Sequence, residues 1–142
     1  MIRSVFKQIV VIDTSAVLAL HDPHDQFHRD AIRLFSAASG VLWDVLDSTS
    51  HECFTRARYA GTFQAACEQY SFMRRSGFRL LRYDEHDEVA AEDLLQRYSE
   101  HTLSFHDALC AGVMKRLGIF KIFTFDTDFS ILGFEVMPGA TH

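Results

Sequence analysis

The sequence predicts an α/β fold: a mostly parallel sheet of about five strands with helices on both faces. Two observations lead to it. Short apolar runs alternate with segments of helical periodicity along the whole chain, the pattern of βα units whose strands lie parallel. Two of those runs, Gln8-Ile-Val-Val-Ile12 and Lys121-Ile-Phe-Thr-Phe125, read as buried strands, and each ends directly on an aspartate. A carboxylate at a strand's carboxyl end faces the crevice where open α/β sheets bind ligands.

The first strand covers about residues 7–12, and Ser15-Ala-Val-Leu-Ala-Leu20 begins a short helix. Asp22-Pro23-His24-Asp25 is punctuation, with proline at a turn or first helical position. From Gln26 to Ala38, the residues Phe27, Ala31, Leu34 and Phe35 share one face at helical spacing. Gly40 ends that helix, and Val41-Leu42-Trp43 is a short second strand. Helices are expected over 49–60 and 62–75, parted by Gly61, and Phe78-Arg-Leu-Leu-Arg-Tyr83 reads as the third strand. Val89, Leu94, Leu95 and Tyr98 mark the next helix. Ser104 to Leu117 forms the last long one, closed by Gly118. The fourth strand is expected at about 120–125 and the fifth at Phe134-Glu-Val-Met137.

At 142 residues, the chain fits one domain, 1–142, with a core of its own. Its hydrophobic content of 48% and charged content of 23% are those of a globular protein. A net charge of −5 argues against a wholly basic nucleic-acid binder, although a metal can neutralise an acidic cleft locally. Cys53, Cys67 and Cys110 are odd in number and widely spaced, which suits free thiols in a reducing cytosol. The opening Met1-Ile-Arg-Ser-Val-Phe-Lys7 has no long apolar core, and no stretch could span a membrane. A soluble, cytoplasmic protein is expected.

Besides Asp13 and Asp126, two acids fall where helices should open at the same sheet edge: Glu52 and Asp107. Four convergent carboxylates suit a hard cation, because Mg²⁺ and Mn²⁺ prefer carboxylate and water oxygens. Each acid also has a plainer reading. Thr49-Ser-His-Glu52 and Ser104-Phe-His-Asp107 fit the capping box, and Asp13 and Asp126 fit N-caps. Capping, however, does not require all four helices to start at one edge. Clustered carboxylates also repel unless protons or cations compensate.

Three ordered segments carry a resemblance to a known family. Val11-Ile-Asp-Thr-Ser-Ala-Val-Leu-Ala-Leu20, Leu103-Ser-Phe-His-Asp-Ala-Leu109 and Phe123-Thr-Phe-Asp-Thr-Asp-Phe129 resemble the motifs of PIN-domain proteins. Glu52, in Ser48-Thr-Ser-His-Glu-Cys-Phe54, matches the family's second acid. By size, the chain looks most like the toxin component of VapBC toxin–antitoxin systems. The resemblance implies a PIN-like α/β/α sandwich that hydrolyses RNA phosphodiesters with Mg²⁺ or Mn²⁺. Asp13, Glu52 and Asp107 would hold the metal, with Asp126 as the fourth acid and Asp128 as its substitute or outer partner. One ion or two would fit. The resemblance also implies a homodimer and a cognate antitoxin that covers the cleft.

Other residues follow from their neighbourhood. Thr14, Ser15, Ser104 and Thr124 carry hydroxyls beside the acids and could orient metal-bound water; local capping is the alternative, most of all for Ser104. Arg56, one turn from Glu52, is the expected phosphate contact, whereas Arg74, Arg75, Lys115 and Arg116 suit solvated helix faces. His21, His24 and His28 have zinc-like spacing, but an Asp-Pro turn parts them and no cysteine joins them. His51 and His106 each precede an acid and could line the cleft, but a helical neighbour points about 100° away, which favours the surface. Trp43 would stack on a base or pack. A non-catalytic PIN-fold module binding RNA or protein is the main alternative. A phosphatase of the haloacid-dehalogenase type would need Asp-x-Asp, which Asp13-Thr-Ser15 lacks, and no glycine-rich phosphate loop follows the first strand.

Overall fold

The computed structural model describes residues 8–75 and 77–139; residue 7 of the expected first strand lies outside them. Twelve elements follow one another: β1 (Gln8–Ile12), α1 (Thr14–His21), α2 (His28–Ala37), β2 (Val41–Leu46), α3 (Asp47–Ala60), α4 (Phe63–Arg75), β3 (Arg79–Leu81), α5 (Glu85–Arg97), α6 (Phe105–Leu117), β4 (Lys121–Phe123), α7 (Asp128–Ile131) and β5 (Glu135–Met137). The strands form one five-stranded sheet in the order β3-β2-β1-β4-β5, every neighbouring pair parallel. The chain lays β1 in the centre, moves outward to β2 and β3, then returns to the other side of β1. The order therefore reverses between β1 and β4, the switch point at which such sheets open a crevice. Register brings the two strands out together there, with Val11 opposite Ile122 and Ile12 opposite Phe123.

Alternate strand residues face opposite layers. Val11, Leu46, Leu81 and Ile122 pack against Ala91 and Leu94 of α5, Leu109, Val113 and Met114 of α6, and Phe129 of α7. Val10, Ile12, Val45 and Phe123 pack against Ala16, Val17 and Leu20 of α1, Ala31 of α2, Cys53 of α3 and Met73 of α4. Trp43 lies in this second layer, its ring centroid 5.1 Å from Phe35 and 5.7 Å from Phe123. It packs. The cysteines are free, with Cys53 and Cys110 buried. Among the described residues, no helix is long and apolar enough to cross a membrane.

β3 and β4 are shorter than the expected 78–83 and 120–125, and β4 ends at Phe123, so Asp126 stands on the loop beyond its strand and not directly at its end. The other departures lie where a polar residue belongs to the interior. The second strand runs to Leu46, three residues past Trp43, because Asp44 inside it is fully buried and paired. Arg79 on the neighbouring β3 donates Nε and Nη2 to its two oxygens at 3.0 and 2.6 Å. As a result α3 starts at Asp47, two residues earlier than the sequence suggests. Asp47 is held there by Arg74 at 2.7 Å and Arg82 at 3.1 Å. Toward the other end, Asp84 and Asp87 form a reciprocal capping box that opens α5. Arg116 of α6 donates to both oxygens of Asp87 at 2.8 Å. Gly112 lets the two helices close, since a Cβ there would sit 3.3 Å from the Asp87 carbonyl. That contact seats α6, and α6 carries Asp107 to the crevice.

Candidate active site

Asp13 leaves β1 at the switch point and is 4% exposed. It occupies the N-cap position of α1, yet its carboxylate caps nothing. Thr124, beside it on the chain leaving β4, donates its hydroxyl to Asp13 Oδ2 at 2.9 Å. That fixes the direction of the neighbouring bonds. With its proton on Asp13, Thr124 Oγ1 accepts from the Asp126 N–H at 3.0 Å and from the Ser15 hydroxyl at 3.1 Å. Ser15 Oγ in turn accepts from the Phe125 N–H at 2.9 Å. Two hydroxyls thereby lock the loop after β4 onto the start of α1.

Asp107 stands in the first turn of α6. Ser104 is the N-cap, its Oγ accepting from the Asp107 N–H at 3.0 Å, so that hydroxyl serves the helix. The Asp107 carboxylate belongs to two groups whose potential ligand atoms lie within 4.8 Å of one another: one with Asp13 and His106, the other with Asp126 and Asp128. The N-cap of α7 is Thr127; Asp126 Oδ1 accepts from the Asp128 N–H at 2.9 Å, and the carboxylates of Asp126 and Asp128 both offer an oxygen near Asp107. Sequence spacing could not choose between them, and the fold brings in both.

Glu52, expected among the metal-binding acids, lies on α3 beside the site and outside both of these groups. It lies in that helix's second turn, and the expected Thr49–Glu52 capping box does not form, because the helix begins at Asp47 with Leu46 as a cap that makes no side-chain bond. Thr14 donates to Glu52 Oε2 at 3.0 Å, and Arg56 Nη2 approaches Oε1 at 3.5 Å. His106 joins the site against expectation. Its Nδ1 is 3.3 Å from Glu52 Oε2 and its Nε2 3.2 Å from Thr49 Oγ1. The cleft runs between α3 and β4, so successive residues of α6 line its two sides: His106 toward α3, Asp107 toward β4.

The remaining candidates fall elsewhere. His51 is exposed beside Arg74 and Tyr70. His21 and His28 bond the Val17 and Ala19 carbonyls at 2.9 and 2.7 Å, an anchoring role with no zinc arrangement among the described residues. Arg74 pairs with Asp47 and lies over Tyr70, Lys115 lies over Phe134, and Arg116 holds Asp87. Arg75, Lys115 and Arg116 are exposed, as expected of solvated faces, and Arg74 is half-buried in its pair. Arg56 is different: its one ion-pair contact among the described residues is with Glu52, and its side chain is 59% exposed.

The electrostatics are those of a site lacking positive charge. Burial, and next the charge of Asp107, push the Asp13 carboxyl up from 3.8 to about 7. Burial followed by the charge of Asp126 raises both Asp107 and Asp128 above the ordinary carboxylate range. Among the described residues, no Lys or Arg forms an ion pair with Asp13, Asp107, Asp126 or Asp128. An oxygen-rich donor set with this deficit fits a hard divalent cation.

The family model for the PIN domain matches residues 10–135. The chain belongs to the PIN-domain family. Over 134 residues, 92% of this chain and 99% of the relative, this PIN-domain protein is 31% identical to the 23S rRNA-specific endonuclease VapC20 of Mycobacterium tuberculosis. The crystal structure of VapC20 from that organism, described as a sarcin-ricin loop cleaving toxin, matches with a TM-score of 0.82 at 27% identity, covering 89% of this chain and 96% of that one. A toxin–antitoxin complex from Klebsiella pneumoniae matches with a TM-score of 0.64 at 18% identity over 94% of this chain and 96% of that chain, a likeness of fold. The chain is therefore homologous to a toxin ribonuclease.

Two outcomes follow for the metal-free protein. Asp13 binds its proton more tightly folded than unfolded, so its contribution is most favourable below pH 3.8 and is lost as pH rises to about 7. Each pKa unit corresponds to about 1.4 kcal/mol, a total on the order of 4 kcal/mol. In EDTA, Asp13→Asn should be more stable to urea than the parent at pH 8, with the gap closing toward pH 4; a gap independent of pH would contradict the assignment. Thr124→Val keeps the shape and leaves the Asp126 N–H and the Ser15 hydroxyl without their acceptor. It should lose about 1–3 kcal/mol of stability in urea unfolding and bind Mn²⁺ more weakly; parent-like values in both measurements would refute the locking role.

Proposed function

We propose that this PIN-domain protein is a single-domain endoribonuclease, residues 1–142, that hydrolyses RNA phosphodiester bonds with Mg²⁺ or Mn²⁺. The observation that carries the reading is the convergence of Asp13, Asp107, Asp126 and Asp128 on one crevice without a cationic partner among the described residues. Asp13 and Asp107, with Asp126 or Asp128, would hold the ion, and Glu52 would complete the set from α3. A bound metal supplies acidity to a coordinated water and offsets negative charge on the phosphoryl oxygens. The chain's own groups do the rest. Thr124 and Ser15 keep Asp13 in place, Thr14 orients Glu52, and Ser104 seats the helix that carries Asp107. Arg56, exposed at the mouth, offers a guanidinium to a backbone phosphate.

The activity named for the mycobacterial relative supports large ribosomal RNA as the substrate. Its description as a toxin supports the same role for this chain, in the cytoplasm, with a small antitoxin that covers the cleft and a homodimer as the working form.

The test is cleavage of total ribosomal RNA by purified protein in Mn²⁺, in Mg²⁺ and in EDTA. Discrete cuts should appear with either metal and vanish in EDTA, and Asp13→Asn should cut at least about 100-fold more slowly, since partners outside a metal's own ligands already account for about 10–100-fold. Arg56→Ala should raise KM with kcat little changed. Between Asp126→Asn and Asp128→Asn, the larger loss of rate identifies the fourth acid. Cutting that persists in EDTA would overturn the metal-dependent reading. Mn²⁺ binding without cutting of any RNA would favour the non-catalytic module.

A further inference from the structure

The acid cluster contains one imidazole that the proposed chemistry leaves without a task. His106 is half-buried, its side chain 19% exposed, and it bridges two helices. From α6 its ring reaches α3, with Nε2 3.2 Å from the Thr49 hydroxyl and Nδ1 3.3 Å from Glu52 Oε2. The same Oε2 accepts from Thr14 at 3.0 Å. An ionised carboxylate only accepts, so this ion-pair contact favours a proton on Nδ1. Both ring nitrogens therefore face protein partners. That favours a role beside Glu52 over direct ligation of a metal, although a ring nitrogen also lies within 4.8 Å of ligand atoms of Asp13 and Asp107.

Glu52 needs such a partner. It is a long side chain with 34% exposure, and it stands outside both groups of ligand atoms that lie within 4.8 Å of one another. Left to itself it gains rotamer freedom and hydration by turning outward. Thr14 restrains one oxygen, and the contact from Arg56, itself exposed, is looser at 3.5 Å. We propose that His106 is a positioning residue, which holds the Glu52 carboxylate toward the other acids and thereby sets the affinity of the cluster for a divalent metal. The inference rests on the metal-site reading above and adds a residue to it.

The experiment is calorimetric titration of Mn²⁺ into the full-length protein and its variants, with thermal unfolding in EDTA beside it. His106→Gln keeps an amide near the Nε2 position and loses the Nδ1 donor; His106→Asn keeps a donor near the Nδ1 position. The expected result is a 10- to 100-fold weaker Mn²⁺ affinity for His106→Ala and His106→Gln, with His106→Asn within about 3-fold of the parent, as a retained donor requires. In a Glu52→Gln background, His106→Ala should change the affinity less than about 2-fold, because the route through Glu52 is gone. Parent-like affinity for His106→Gln would overturn the proposal. So would an equal loss in Asn and Gln variants that track their unfolding temperatures, which is the mark of a purely structural role. A parent protein that binds no Mn²⁺ would instead remove the metal site itself and this inference with it.

Discussion

Asp13 is a carboxylate placed in a nearly dry pocket, and the described structure supplies no cation to balance it. Its position follows from backbone register: β1 and β4 are paired so that Asp13 and Thr124 leave the sheet together. One hydroxyl then accepts from the loop after β4 while donating to the acid. The remaining acids come from elements seated around this junction, Asp107 on α6, Asp126 and Asp128 on the β4 exit, and Glu52 on α3. Burial and mutual repulsion raise three of them above the ordinary carboxylate range. Such an arrangement is unfavourable for folding by itself, and a divalent cation, as proposed above, would turn it into a gain.

Other buried acids in the same chain show the contrast. Asp44 and Asp87 are as dry as Asp13, but each faces an arginine, Arg79 and Arg116, that donates twice. Those pairs tie β2 to β3 and α5 to α6, and they hold the frame that brings the unpaired acids together. Arginine stands beside the buried aspartates that hold the frame, and among the described residues Asp13 has no such partner.

Much of this was legible in the residues. The buried runs ending at Ile12 and near Phe125 gave away two central strands, and the aspartates after them pointed to the crevice. The sheet order explains why that inference works: β1 and β4 flank the switch point, so their exits converge whatever the detail of the helices. Less legible were features that depend on pairing across the fold. Asp44 interrupts an apolar run and reads as a strand end; only the arginine opposite it, thirty-five residues away, makes it interior. The helix after it then begins earlier, which dissolves the capping box that Thr49 and Glu52 suggest. His106 was misplaced for a related reason. Helical periodicity separates it from Asp107 by direction, but not from a cleft bounded on both sides.

If the crevice between β1 and β4 binds a divalent metal, crystals grown with Mn²⁺ should show anomalous scattering there at the manganese edge. The expected density is bounded by Asp13, Asp107 and one or both of Asp126 and Asp128, with Glu52 on the α3 side. Density confined to other places, or none at an Mn²⁺ concentration that supports cleavage, would contradict that reading.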